Sequence, residues 1–213
     1  MTEILPANSP KAIKLASRLL REGEVVAFPT DTVYGVGANA FERFAVRQIF
    51  EIKDRPADKS LPVFIYQIDD LNLVARSVPN RAWPLLQHFW PGALTVVLPK
   101  SSILPDDVTS GQDTVAIRIP NHAVCLDLVI HVGHPLAVTS ANLSGQPTPP
   151  TAQGVAEQLA NHLPLVLDGG PSPSTQPSTI IDLSRTPPRL LRPGPIDLAE
   201  LRQFLPDIEA PRK

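Results

Sequence analysis

The sequence predicts an α/β protein built on a largely mixed sheet. Short apolar runs of strand length alternate with amphipathic helical patterns along the whole chain. The last two of those runs follow each other with no helix between them, which argues against a purely parallel sheet. The 25 prolines crowd into residues 146–150, 170–177 and 186–195, marking loops rather than elements.

The elements follow in order. Ser9 stands at an N-cap position with Pro10 behind it, and Ile13, Ala16, Leu19 and Leu20 share one face, so a helix begins at Pro10 and Gly23 ends it. Residues 25–28 form an apolar run stopped by Pro29, a buried strand that delivers its end into a loop over 30–37. Val46, Ile49, Phe50 and Lys53 at helical spacing predict a second helix over 41–53. Strands are expected over 62–66, 93–98, 115–119, 136–138, 165–167, 179–183 and 190–191. Helices are expected over 81–89, 123–132, 152–159 and 198–204. There is no internal repeat.

Composition narrows the function. Across 213 residues, 19 basic and 21 acidic side chains leave a formal charge of −2, so no global field draws the chain to nucleic acid or membrane. Any anion site must therefore be local. A lone cysteine, Cys125, excludes an internal disulfide, and its apolar setting suits a packed, inert thiol. The N-terminus lacks a signal-peptide pattern, and no apolar run approaches the roughly 20 residues that span a bilayer. A soluble cytoplasmic protein with no membrane contact is expected. P-loop, GxGxxG, GxSxG and HExxH motifs are absent, and His131 and His134 lack a third ligand, so no metal site and no catalytic nucleophile are expected among the side chains.

What remains are polar clusters at the ends of apolar runs: PTDTVYG (29–35), KDR (53–55), IRIP (117–120), TSAN (139–142), PSTI (177–180) and LRPG (191–194). Ligands of open α/β sheets bind at strand ends. Taken singly, each cluster has a plainer reading: a turn, solvated charges at a helix end, or a cap. Taken together they repeat one combination of hydroxyl, amide and cation. Arg118 is the sharpest case, because a charge inside the strand pattern VAIRIP is costly unless it is paired or faces a wet cleft. It is either a snorkelling arginine or a fork for a carboxylate or phosphate.

FPTDTVYGVGANA, KDRP with Lys59 following, FWPGALT, VAIRIP, TSANLSG, PSTI and LRPG, in this order, resemble the YrdC/Sua5 family of threonylcarbamoyl-AMP synthases. The resemblance runs from about Val25 to Gly194. It implies a single twisted YrdC-like domain, with a largely mixed sheet folded around a concave basic cavity, over residues 1–195, followed by a C-terminal helix and charged tail over 196–213. It implies a reaction in which L-threonine, bicarbonate and ATP with Mg²⁺ give threonylcarbamoyl-adenylate and pyrophosphate, toward threonylcarbamoylation of adenosine 37 of tRNA. A downstream tRNA threonylcarbamoyl transferase would receive the product. By the same resemblance, Lys53, Arg55, Lys59, Ser140, Asn142 and Arg192 contact ATP, while Thr32, Arg118 and Ser178 bind threonine; Thr114, Val138 and Thr148 flank these motifs. Where two-domain relatives carry a pocket histidine this chain has Phe64, so that contact is expected to be apolar or through the backbone. From the short stretch after LRPG, no second C-terminal domain of the longer Sua5 type is expected.

Two rival readings stand beside this one. A non-catalytic module of the same fold would bind double-stranded RNA or tRNA, but would need phosphate contacts spread over a wide surface, which a charge of −2 disfavours. The carbamoyl-adenylate domain of hydrogenase-maturation proteins is accompanied by paired-cysteine zinc motifs, which one cysteine cannot supply.

Overall fold

The computed structural model describes residues 2–159 and 162–211. Arg212 and Lys213, the charged end of the expected tail, lie outside the described residues. The elements in chain order are β1 (Glu3–Pro6), α1 (Pro10–Arg21), β2 (Val26–Phe28), β3 (Gly35–Asn39), α2 (Arg43–Lys53), β4 (Val63–Phe64), α3 (Leu71–Val74) and α4 (Trp83–Phe89). They continue with β5 (Leu94–Pro99), α5 (Asp106–Thr109), β6 (Thr114–Arg118), α6 (Ala123–Val132), β7 (Leu136–Ser140), α7 (Ala152–Gln158), β8 (Leu165–Asp168), β9 (Thr179–Asp182), β10 (Arg189–Arg192) and α8 (Leu198–Phe204).

Among the described residues one sheet runs β1-β8-β2-β3-β7-β4-β6-β5-β9-β10. The pairs β1–β8, β8–β2, β4–β6 and β5–β9 are parallel, and the others antiparallel, so the sheet is mixed as the adjacent C-terminal strands suggested. Ser9 is the N-cap of α1 in extended conformation, but its side chain makes no capping bond; Pro10 at the first position sets the start instead.

Two departures from the sequence reading bear on the site. The segment expected as loop to residue 37 is strand from Gly35, paired to β2 and β7. Its glycines concealed it, and they are there because the side chains of the flanking strands fill the space: a Cβ on Gly37 would meet Val138 Cγ2 at 3.0 Å and the Ala137 carbonyl at 3.1 Å on β7, and Phe28 on β2 at 3.2 Å. The segment after 195, expected as a C-terminal helix and charged tail, forms the helix α8 and also contributes Ile196, Leu201, Leu205 and Ile208 to the main core.

Alternation along the strands divides the interior into two layers. Ala27, Val63, Ala137 and Val166 face the larger core, with α2, α4, α7 and α8; Phe28, Phe64, Val138 and Leu167 face the other side, with Ile13, Ala16 and Leu20 of α1 and Leu128 and Val132 of α6. Each such large apolar side chain contributes roughly 1.5–3 kcal/mol by leaving water. On that second face, α1 and α6 pack against each other over the β8-β2-β3-β7 half of the sheet. The residues of β5 and β6 that turn the same way, Thr95, Val97, Ala116 and Arg118, line a cavity.

Candidate functional site

The cavity, about 350 Å³, is walled by residues of neighbouring strands: Val138, Thr139 and Ser140 of β7, Phe64 of β4, Ala116 and Arg118 of β6, Thr95 and Val97 of β5, and Ile180 of β9. Arg192 closes it from β10, and the turn Thr30–Tyr34 and Arg55 close it from the loops. Among the described residues no aspartate or glutamate lines it, whereas three guanidiniums do.

Arg118 is buried with its charge held on all sides. Its Nε donates to the Gly92 carbonyl at 2.9 Å, Nη1 to Thr32 Oγ1 at 3.1 Å and Nη2 to Asp31 Oδ1 at 2.7 Å, while the Phe64 ring lies 5.7 Å from the guanidinium carbon. Three of five N–H groups are thereby fixed, which aims the remaining two without leaving them free to wander. Thr30 keeps the turn in place: its Oγ1 donates to the Val33 carbonyl at 2.7 Å and accepts from Thr32 N at 3.0 Å. Tyr34 pins the opposite loop, donating to the Gly170 carbonyl at 2.7 Å and accepting from Gly169 N at 3.1 Å.

Arg192 donates twice to the Ser178 carbonyl and reaches Ser178 Oγ, which in turn meets Thr95 Oγ1 at 2.7 Å. Arg55 donates to the carbonyls of Lys59 at 3.1 Å and Ser60 at 2.7 Å. Neither Arg55 nor Arg192 takes part in any ion pair among the described residues. Burial, with Arg118 nearby, pulls the Arg192 guanidinium down to about 10, so it stays charged at neutral pH. Burial also lowers Arg55, against the pull of Asp58. Two partly buried cations satisfied only by neutral oxygens form a site that an anion would stabilise.

The residues expected at the site separate into two groups. Thr32, Phe64, Arg118 and Ser178 all line the cavity, as do Arg55, Ser140, Arg192 and the flanking Val138; Thr30, Tyr34, Thr95 and Thr139 join them without having been singled out. Thr95 ends the motif FWPGALT and Thr30 is the second residue of PTDTVYG, so their signal was present in the motifs themselves. Lys53, Lys59, Asn142, Thr114 and Thr148 are not on the wall. Lys59 is exposed beside Arg55. Asn142 is buried, its amide donating to the carbonyls of Leu143 and Gln146, both at 2.8 Å, and accepting from Thr148 at 3.0 Å. The Lys53 ammonium is buried behind the wall, donating to the carbonyls of Ser140 and Asn142.

A mixed α/β sheet that sets guanidiniums without ion-pair partners and hydroxyls at its strand ends is an arrangement suited to small anionic ligands. Residues 18–194 match the family model Sua5_yciO_yrdC, described as "Telomere recombination", and the chain belongs to the Sua5/YciO/YrdC family. It is 45% identical to the threonylcarbamoyl-AMP synthase of Pyrococcus abyssi over 92% of this chain and 58% of that protein, and 45% identical to that of Bacillus subtilis over 96% and 59%. The crystal structure of P. abyssi Sua5 complexed with L-threonine superposes with a TM-score of 0.94 at 43% identity, covering 98% of this chain and 62% of that one. The chain thus spans about six-tenths of the length of these relatives. Among the described residues no helix is long and apolar enough to cross a membrane.

Proposed function

We propose that this protein is a threonylcarbamoyl-AMP synthase acting in the cytoplasm, with residues 1–195 carrying the activity. The amine of L-threonine and bicarbonate condense to a carbamate with loss of water, and a carbamate oxygen attacks the α-phosphorus of MgATP; the adenylate forms and pyrophosphate leaves. The observation that carries this reading is the pair of guanidiniums, Arg55 and Arg192, without an ion-pair partner among the described residues, lining the same cavity as Arg118. Bringing an anionic carbamate to a triphosphate sets like charges together, and fixed cations offset that repulsion. The relatives' name and the L-threonine complex of P. abyssi Sua5 support the choice of substrates.

Arg55, Ser140 and Arg192 contact the phosphates from the wall, and Lys59 from the rim. Asn142 shapes the turn that carries Ser140. Arg118 takes the α-carboxylate of threonine, Thr32 and Ser178 its hydroxyl and amine, and Phe64 and Val138 its methyl. Mg²⁺ arrives as part of MgATP, which suits a wall of hydroxyls and guanidiniums without carboxylates. The labile adenylate passes to a tRNA threonylcarbamoyl transferase.

The test is pyrophosphate release from ATP and bicarbonate with threonine, serine, valine or no amino acid. Threonine should drive release, valine should not, and serine should follow threonine by roughly 10- to 200-fold, the worth of one methyl. Release indifferent to threonine, or salt-sensitive RNA binding without any ATP turnover, would overturn the reading.

A further inference from the structure

Lys53 and Arg55 sit two residues apart yet face different ways. Asp54 between them closes α2 in the left-handed region, φ 48° and ψ 48°. The kink turns Arg55 to the cavity and leaves Lys53 under the wall, where it is 1% exposed. There the ammonium bridges the Ser140 and Asn142 carbonyls, and Ser144 N returns a bond to the Lys53 carbonyl at 2.9 Å. The turn from Ser140 to Ser144 is thus tied to the end of α2 at both atoms Lys53 can offer. Asn142 locks the same turn internally, so the link to α2 runs through Lys53.

We propose that Lys53 is a positioning residue for the nucleotide: protonated, it holds the Ser140–Asn142 turn in its ligand-ready shape from behind the wall, and on losing its proton it loosens that hold. The proposal rests on the reading of the cavity as a nucleotide site.

An ammonium satisfied by neutral carbonyls makes charge-assisted bonds, which the free amine replaces with weaker ones. The surroundings place this exchange within reach. Burial, reinforced by the Arg55 cation on its own segment, brings Lys53 down to about 7. β7 and the turn that face it present neutral oxygens, and among the described residues Lys53 forms no ion pair. Phosphates set against Arg55 would offset the repulsion between the two cations, so binding takes up a proton near neutrality and weakens as pH rises.

The experiment combines two measurements on the whole chain. Backbone amide spectra of the ligand-free protein are followed from about pH 6 to about pH 9, and MgATP affinity is measured by calorimetry over the same range, for the native chain and for Lys53→Met. In the native chain the amides of residues 140–144 should titrate with a midpoint near neutrality, and MgATP affinity should fall about tenfold for each pH unit of linked shift. In Lys53→Met those amides should be displaced and pH-independent, with weaker and flat MgATP affinity. A lysine that touched phosphate directly would leave the ligand-free amides unmoved. Native amides of 140–144 that ignore pH overturn the proposal without recourse to the variant. If they titrate while MgATP binds at no pH, the nucleotide reading falls and takes the affinity half of the proposal with it, while the tether stands.

Discussion

Arg192 grips the Ser178 carbonyl through two donors, Nε at 3.0 Å and Nη2 at 2.7 Å, and touches Ser178 Oγ at 3.1 Å. This fork joins the end of β10 to the residue before β9, and so couples a proposed phosphate contact to a proposed threonine contact. A lysine in its place keeps the charge but loses the fork. Arg192→Lys should therefore weaken both ligands. Calorimetry should show losses in the range of charge-assisted bonds, roughly 1.5–3 kcal/mol for MgATP, with a smaller loss for threonine.

The glycine after that strand allows the contact. A Cβ on Gly194 would meet Thr179 N at 2.4 Å and the carbonyl of Pro177 at 2.7 Å, both backbone atoms that cannot step aside. Gly194→Ala should cost about 1–3 kcal/mol in chemical denaturation, the range for overpacking. It should also weaken MgATP by moving Arg192 away from Ser178.

Asp31 and Arg118 form a pair with side chains 15% and 3% exposed. Asp31→Asn keeps the shape and removes the compensating charge, leaving a buried guanidinium short of its carboxylate. The expected destabilisation is about 3 kcal/mol, near the lower end for breaking a buried pair, read from the denaturation midpoint. Saturating threonine, whose carboxylate would replace the missing charge, should restore part of the loss.

Lys53 also sets a trend in stability with pH. Its ordinary value is 10.5 and burial lowers it to about 7 in the folded chain. Between those values the unfolded chain carries a proton that the native chain lacks, so stability from this group rises with pH across the window. It falls back as pH drops toward about 7, below which the full cost of burying the cation is present. In urea titrations at several pH values, Lys53→Met should lack this rise.

Much of this architecture was legible because its signals are local. α1 announces itself through Ser9, Pro10 and an apolar face, and the strands through short apolar runs. What was hidden depended on partners distant in the chain. β1 is four residues at the sheet edge with little apolar pattern, and β3 is disguised by glycines whose reason is the space taken by Val138 and Phe28 of its flanking strands. At the site, the motifs located Thr32, Arg55, Arg118, Ser178 and Arg192 on one cavity, since each lies at a strand end or a turn. They could not say which way Lys53 faces. One clue existed: Lys53 continues the apolar spacing of Val46 and Ile49, the face of α2 that is buried. A cation in phase with a buried stripe is a cation facing inward, and that phase outweighs its place beside Arg55 in the motif.

On the proposed reading, one cavity holds a nucleotide on Arg55 and an amino acid on Arg118. The most direct measurement is the KM of MgATP and of threonine in pyrophosphate release by Arg55→Ala and by Arg118→Ala. Each should raise the KM of its own substrate by about 10-fold or more, the worth of one charge-assisted contact, and leave the other's nearly unchanged. Threonine KM unaltered in a folded Arg118→Ala protein, or MgATP KM unaltered in Arg55→Ala, would contradict the account.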